Sequence, residues 1–389
     1  MNGSDLHILV IPTWYPGGSD QLLGIYHKHF SQALAENGVK VNMLFVDSQP
    51  ISTLPRYPFM TKYYELPENG YTTYCLRMLN MSRISYDLQM KLYAKKMEKL
   101  FLKYVAINGK PDVLHAQVTV PAGYAACVVG KKYGIPVIVT EHHGDFDYFF
   151  HGKEEEYIRF VGKHAAKITY VSSYMGDIFR KELGVQGQVL PNVVDCSRFS
   201  APKAVDPNGP LQLVSVCALR IGKQIHIAAA ALKILRESGR LPTSFRYTVV
   251  GDGEMADTFK KWVAEMGMSD CVDFVGTKTQ AEIAQILSRS HMLLIPSRRE
   301  SFGIPAIEAL AAGVPVISTR CNGPETFLTP ACSELCEVND PQGMADAIER
   351  MYHRLPELKE SDLRAVARQF DNASIAKLAQ EYYREVMAK

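Results

Sequence analysis

Two glutamates eight positions apart, Glu300 and Glu308, bracket the stretch ESFGIPAIEALAAGVPVIST. A carboxylate only accepts hydrogen bonds, so the pair suits a ligand rich in neutral hydroxyls. The apolar run MLLIPS before the pair reads as a buried parallel strand, and IPAIEALAAG as a helix ended by Gly313. This reading places Glu300 at the carboxyl end of the strand and Glu308 inside the helix. Between them Ser301, Phe302 and Gly303, with Ile304 opening the helix, bring backbone N–H groups to the helix start. Free donors and the helix dipole favour an anion there. An anion held between two hydroxyl-binding carboxylates has the chemistry of a sugar nucleotide.

Other residues have chemistry to match. A departing nucleoside diphosphate carries charge that a metal or fixed cations must meet, and the loop after LVSVCAL offers Arg220 and Lys223. Gly17, Gly18 and Gly24 follow the first apolar run, where glycine lets backbone N–H groups approach an anion. The run IPVIVTEHHGDFDYFF sets Glu141, His142, His143, Asp145 and Asp147 after a strand, and a neutral imidazole there can bond a sugar hydroxyl or a carbonyl. His115 reads as structural, and His27 and His29 face apart on their helix, which argues against a metal site.

Short apolar strands alternate with helix-length segments along the whole chain, which predicts βαβ units and parallel, doubly wound sheets. The pattern lapses in CSRFSAPKAVDPNGP, residues 196–210, the best linker. With 389 residues, 47% of them hydrophobic, two domains are expected. We place an N-terminal domain at 1–200, joined by a C-terminal helix at 371–389, and a second domain at 201–370. The charges, 43 basic against 41 acidic residues for a net +2, exclude a general nucleic-acid binder. The eight cysteines lack metal-site spacing and read as free thiols of a reducing, cytoplasmic compartment. The N-terminus reads as a first strand rather than a signal peptide, and no segment is apolar for long enough to span a membrane.

With these motifs in view, the chain resembles the retaining glycosyltransferases of family 4, also called group 1. The resemblance implies the α/β GT-B fold, two facing Rossmann-like domains with parallel sheets and an interdomain cleft. Glu300 and Glu308 match that family's glutamate pair. IPTWYPGGSDQLLGIYHKHFSQALAENGVKV, VTEHHGDF, LPNVVDCSRF, VVGDGE, VDFVG and GVPVISTRCNGPETF resemble its other landmarks in order. The resemblance implies donor-sugar contacts for Glu300 and His142, and ribose contacts for Glu308. It implies a diphosphate grip for Lys223, with Gly24, Gly251, Gly276, Ser301, Phe302, Gly303 and Ile304 around the donor. The match departs at Ala218, where the family carries an arginine, and at Gln224, where it carries a glycine. Arg220, two positions on, is the candidate replacement. The expected activity is retaining, metal-independent transfer of a sugar from a UDP- or GDP-sugar to a hydroxyl of a glycan or lipid-linked acceptor, without a cofactor. Glycan, capsule, O-antigen or glycolipid synthesis would use it.

Rival readings exist. DFD at 145–147 has the DxD form by which single-domain GT-A transferases hold a divalent ion. Gly251, Gly253 and Ala256 nearly satisfy a dinucleotide fingerprint, yet VDFVGTK offers no acid at its strand end to hold a ribose. A nucleotide-sugar epimerase of similar architecture is the third. The segment RYPFMTKYYELPENGYTTYC reads as part of an acceptor site. Lys91, Lys95, Lys99 and Lys103 at i,i+4 spacing suggest a basic helix against an anionic membrane, so that the protein sits peripherally at its inner face.

Overall fold

Strands form where short apolar runs meet turn residues, and the central ones are buried on both faces, as parallel strands covered by helices must be. All six residues of the first, His7–Pro12, are buried. The computed structural model describes residues 6–16, 23–50, 52, 62–144, 146–206, 209–241 and 244–388. Gly17, Gly18 and Asp145 therefore lie outside the described residues, as do residues 56–61 of the expected acceptor segment. The chain forms two compact units, Met1–Val193 with Asn372–Lys389, and Val194–Asp371.

The first unit runs β1 (His7–Pro12), α1 (Ile25–Glu36), β2 (Lys40–Gln49), β3 (Tyr63–Pro67), β4 (Thr72–Leu79), α2 (Tyr86–Asn108), β5 (Val113–Gln117) and α3 (Tyr124–Tyr133). It continues with β6 (Val137–Glu141), α4 (Glu155–His164), β7 (Lys167–Tyr170), α5 (Ser173–Leu183) and β8 (Gln188–Val189). The sheet order is β3-β4-β2-β1-β5-β6-β7-β8. Only β3 is antiparallel to its neighbour. The order reverses direction between β1 and β5, and ligands of such sheets bind at the carboxyl ends beside that reversal.

The second unit contains β9 (Leu211–Val216), α6 (Ile225–Ser238), β10 (Phe245–Val250), α7 (Ala256–Glu265), β11 (Val272–Gly276), α8 (Gln280–Ser288) and β12 (Met292–Ile295). α9 (Ile304–Ala311), β13 (Val316–Thr319), β14 (Ser333–Cys336), α10 (Pro341–Arg354) and α11 (Glu360–Arg368) complete it. Its sheet is parallel throughout, ordered β11-β10-β9-β12-β13-β14, with the reversal between β9 and β12.

The last helix, α12 (Asn372–Met387), packs against the first unit. Ile375, Ala376, Ala379, Tyr383 and Val386 join the core of β1, β2 and α1. The Tyr383 hydroxyl lies 2.7 Å from His115 Nδ1, and Asn372 donates to Glu36 at 2.8 Å. Burying the Ile375 side chain alone is worth about 2 kcal/mol. All eight cysteines are free. Among the described residues no helix is long and apolar enough to cross a membrane.

Candidate active site

The reversal between β9 and β12 determines what meets at the edge of the second sheet. The strands are neighbours, so the loop after β9, carrying Arg220 and Lys223, lies beside the loop after β12, carrying Glu300. Lys223 Nζ is 2.6 Å from Glu300 Oε1, an ion pair across 77 residues of sequence. Ser297 donates to the same oxygen at 2.6 Å. The side chains keep 24% and 15% of their exposure, enough for a ligand to reach them. Burial works against the Lys223 charge, but the carboxylate of Glu300 outweighs it and raises the lysine pKa above its usual value. β12 stops at Ile295, earlier than MLLIPS suggested, because Pro296 has no N–H for the ladder. Glu300 thus stands on a loop rather than at the strand end. That loop is fixed by its own backbone: Glu300 N–H donates to Cys321 O at 2.8 Å, and Gly323 N–H to Glu300 O at 3.0 Å.

Close packing explains some of the glycines here and backbone conformation the others. A Cβ on Gly251 would fall 1.9 Å from Cys217 O, and one on Gly323 2.5 Å from Phe302 N. Gly303 caps α9 with φ 97°. Gly276, at φ 70°, has open space around its Cα and is a glycine for backbone reasons; its carbonyl accepts from Gly251 N–H at 2.9 Å. The Phe302 ring is buried against Phe327 and Phe370, which leaves only its backbone for a ligand. Among the described residues nothing accepts from the N–H groups of Ser301, Phe302, Gly303 or Ile304. At Gln224 the backbone is left-handed, φ 49°, a conformation that favours the glycine this chain lacks. The Gln224 amide instead bonds Asn339, another left-handed residue. Arg220 is exposed and makes no ion pair with a described residue.

Glu308 lies on the buried face of α9, 6% exposed, with no hydrogen-bond partner for its carboxylate among the described residues. Burial alone pushes its pKa to about 7.

A second cluster lies at the carboxyl ends of β5 and β6 in the first unit. His142 Nε2 lies 2.7 Å from Gln117 Oε1, a contact that fixes the orientation of the ring. Its ring lies 4.9 Å from Tyr26 and 5.0 Å from His27, centroid to centroid. Burial lowers the His142 pKa to about 4, overriding the raising effect of Glu141, so the imidazole is neutral at physiological pH. Gly24, left-handed at φ 72°, caps α1, and a Cβ there would lie 2.6 Å from Trp14 O. Sequence reasoning named Glu141 without giving it a role and did not name Gln117. Glu141 is fully buried; it accepts from the backbone of His142, His143 and Thr119, and its Oε1 lies 2.9 Å from His143 Nδ1. Burial would raise its pKa, but His143 and these donors bring it down to about 2. An acid at a strand end followed by two histidines was the available signal. The space beside His142, about 10 Å³ among Tyr26, Gln117, Thr140 and Asn192, holds one water at most. His115 is buried with both ring nitrogens bonded, to Tyr383 and Thr140. Among the described residues no group of three His, Cys, Asp or Glu could hold a metal ion.

Comparison with known proteins bears on the family and the fold. Residues 23–198 match the model of glycosyltransferase family 4, and residues 198–368 that of the group 1 glycosyl transferases. The chain is 27% identical over 354 residues to N-acetyl-alpha-D-glucosaminyl L-malate synthase of Bacillus anthracis, covering 86% of this chain and 84% of that one. The sucrose-phosphate synthase of Thermosynechococcus elongatus superposes with a TM-score of 0.75 at 18% identity, over 98% of this chain and 99% of the other. The Anabaena protein Alr3699/HepE, solved with UDP-glucose, gives 0.70 at 15% identity, over 97% and 100%. The oxidoreductase and epimerase readings find no support in these matches. The chain belongs to the group 1, family 4 glycosyltransferases and has the GT-B type of fold, with two parallel-sheet domains.

Proposed function

We propose that the protein transfers a hexosyl group, with retention, from a nucleotide-sugar to a hydroxyl of a glycan or lipid-linked acceptor. The observation that carries this reading is the Lys223–Glu300 ion pair beside the free amides of the α9 start. The second domain is the donor-binding one in this reading, and the first binds the acceptor. UDP is favoured over GDP by the UDP-glucose held in Alr3699/HepE. Glu300 accepts hydrogen bonds from donor-sugar hydroxyls and Glu308 from the ribose. Neutral His142, oriented by Gln117, bonds a sugar hydroxyl. Attack comes from the face the diphosphate leaves: a donor phosphate oxygen takes the acceptor proton while Lys223, Arg220 and backbone N–H groups stabilise the leaving charge. Fixed cations take the place of a metal.

The test is turnover across a panel of UDP-, GDP- and ADP-sugars in EDTA, with the product's anomeric configuration read by NMR. We expect one UDP-sugar to be used at full rate in EDTA with retained configuration. An inverted product, or activity lost to EDTA and restored by a divalent ion, would sink this mechanism.

The acceptor partner is proposed to lie at an anionic membrane, at its cytoplasmic face. The exposed face of α2 and the turn before it combines Lys91, Lys95, Lys99 and Lys103 with exposed Ile84, Leu88, Leu102 and Ile107. Such a face is built to sit among headgroups, with its aliphatics in the interface and its lysines on anionic lipid, at about 1 kcal/mol per lysine. Lys95→Glu/Lys99→Glu is expected to abolish co-sedimentation with anionic vesicles. Unchanged sedimentation would end the docking proposal.

A further inference from the structure

The Lys223–Glu300 pair presents almost no net charge, because each partner neutralises the other at 2.6 Å. A nucleoside diphosphate brings at least two negative charges to that edge of the sheet. The exposed acids Asp252 and Glu254 stand on the adjoining loop, whose Asp252 carbonyl accepts from Leu219 N–H at 2.9 Å, and they add to the negative charge. Further cations are required, and among the described residues this edge offers two whose side chains have no partner.

Arg220 is one. Arg298 is the other, two residues before Glu300. Its backbone N–H donates to Gly222 O at 2.7 Å, so its main chain is tied to the turn that carries Lys223. That places Arg298 next to Lys223 in space and beside Arg220, all at the reversal between β9 and β12. Both arginines are exposed, and neither side chain bonds a described residue. Elsewhere in the same unit Arg236, Arg240, Arg246, Arg320, Arg350 and Arg354 are each ion-paired. Arg289, also unpaired, stands at the other edge of the sheet, after α8 and before β12.

We infer that Arg298 is the second free cation of the diphosphate grip, acting with Arg220 on the phosphate oxygens while Lys223 stays bridged to Glu300. This rests on the nucleotide-sugar reading above. A guanidinium offers paired donors to phosphate and holds its charge at every relevant pH.

The experiment compares binding of UDP and of uridine to the wild type, Arg298→Ala, Arg298→Lys and Lys223→Ala by calorimetry. Arg298→Ala is expected to weaken UDP about 10- to 100-fold and to leave uridine unchanged, with Arg298→Lys in between. Equal losses for UDP and uridine would mean general damage and overturn the assignment. So would an unchanged UDP affinity in Arg298→Ala alongside a loss in Lys223→Ala, which would leave the donor reading intact. A wild type that binds neither UDP nor GDP would bring down the donor reading itself and this inference with it.

Discussion

Lys223→Ala is expected to lower kcat by about 10²- to 10³-fold, the scale for removing one preorganised donor from a developing charge. The loss has two parts. Truncation removes a cation proposed to stabilise the leaving charge, and it leaves the Glu300 carboxylate, 15% exposed, with Ser297 as its one side-chain partner among the described residues. An ion pair this enclosed lies between the surface case, worth up to about 1 kcal/mol, and the buried case, where removing one partner costs about 3 to 5 kcal/mol. The folded unit should therefore lose stability by an intermediate amount. A double-mutant cycle separates the parts: adding Glu300→Gln to Lys223→Ala restores part of the stability but none of the turnover. Near-normal turnover in Lys223→Ala would remove the lysine from the mechanism.

Glu308→Gln is expected to stabilise the protein at alkaline pH while weakening donor binding. In the unfolded chain the carboxyl ionises near 4.5, whereas in the folded chain burial holds the proton to about 7. Between these values the folded state carries the extra proton, so stability falls as pH rises through the window. Above it the cost is constant, at most about 3 kcal/mol. Glutamine has the same shape and no charge to bury. The variant should match the wild type below pH ~4.5, gain through the window and unfold several degrees higher at pH 8, taking ~2 to 4 °C per kcal/mol. Donor affinity should move the other way, falling ~10-fold or more, because the proposed ionised acceptor of ribose hydroxyls is lost. The wild type should itself bind donor less well below pH 7, and the variant should not. A melting-temperature difference independent of pH would show that the Glu308 carboxyl is not held in this way. A buried, unpaired carboxylate costs the free protein stability, and such a cost is common where function requires a strained or desolvated group.

The departures from the family pattern are also physical. At Gln224 the backbone needs the left-handed conformation that glycine takes freely, and this chain meets the requirement with a glutamine whose amide holds Asn339. Glu141 shows why part of the first cluster escaped sequence reading. A lone acid at a strand end has many meanings, and it becomes an anchor for two histidines only through the backbone N–H groups that fold onto it.

The sequence by itself determined the elements and the kind of chemistry. Alternating apolar strands and helix-length segments dictate parallel sheets, because period and length are local properties. The residue types of the glutamate pair, the cations and the glycine-punctuated loops point to the proposed phosphate-and-hydroxyl chemistry. Only the tertiary structure decided which of them meet and in what state of charge. Lys223 reaches Glu300 because β9 and β12 lie side by side, an order imposed by long-range packing that no local pattern encodes. Glu308 holds its proton to about 7, and His142 stays neutral, because other parts of each unit exclude water from them, and desolvation depends on neighbours distant in sequence.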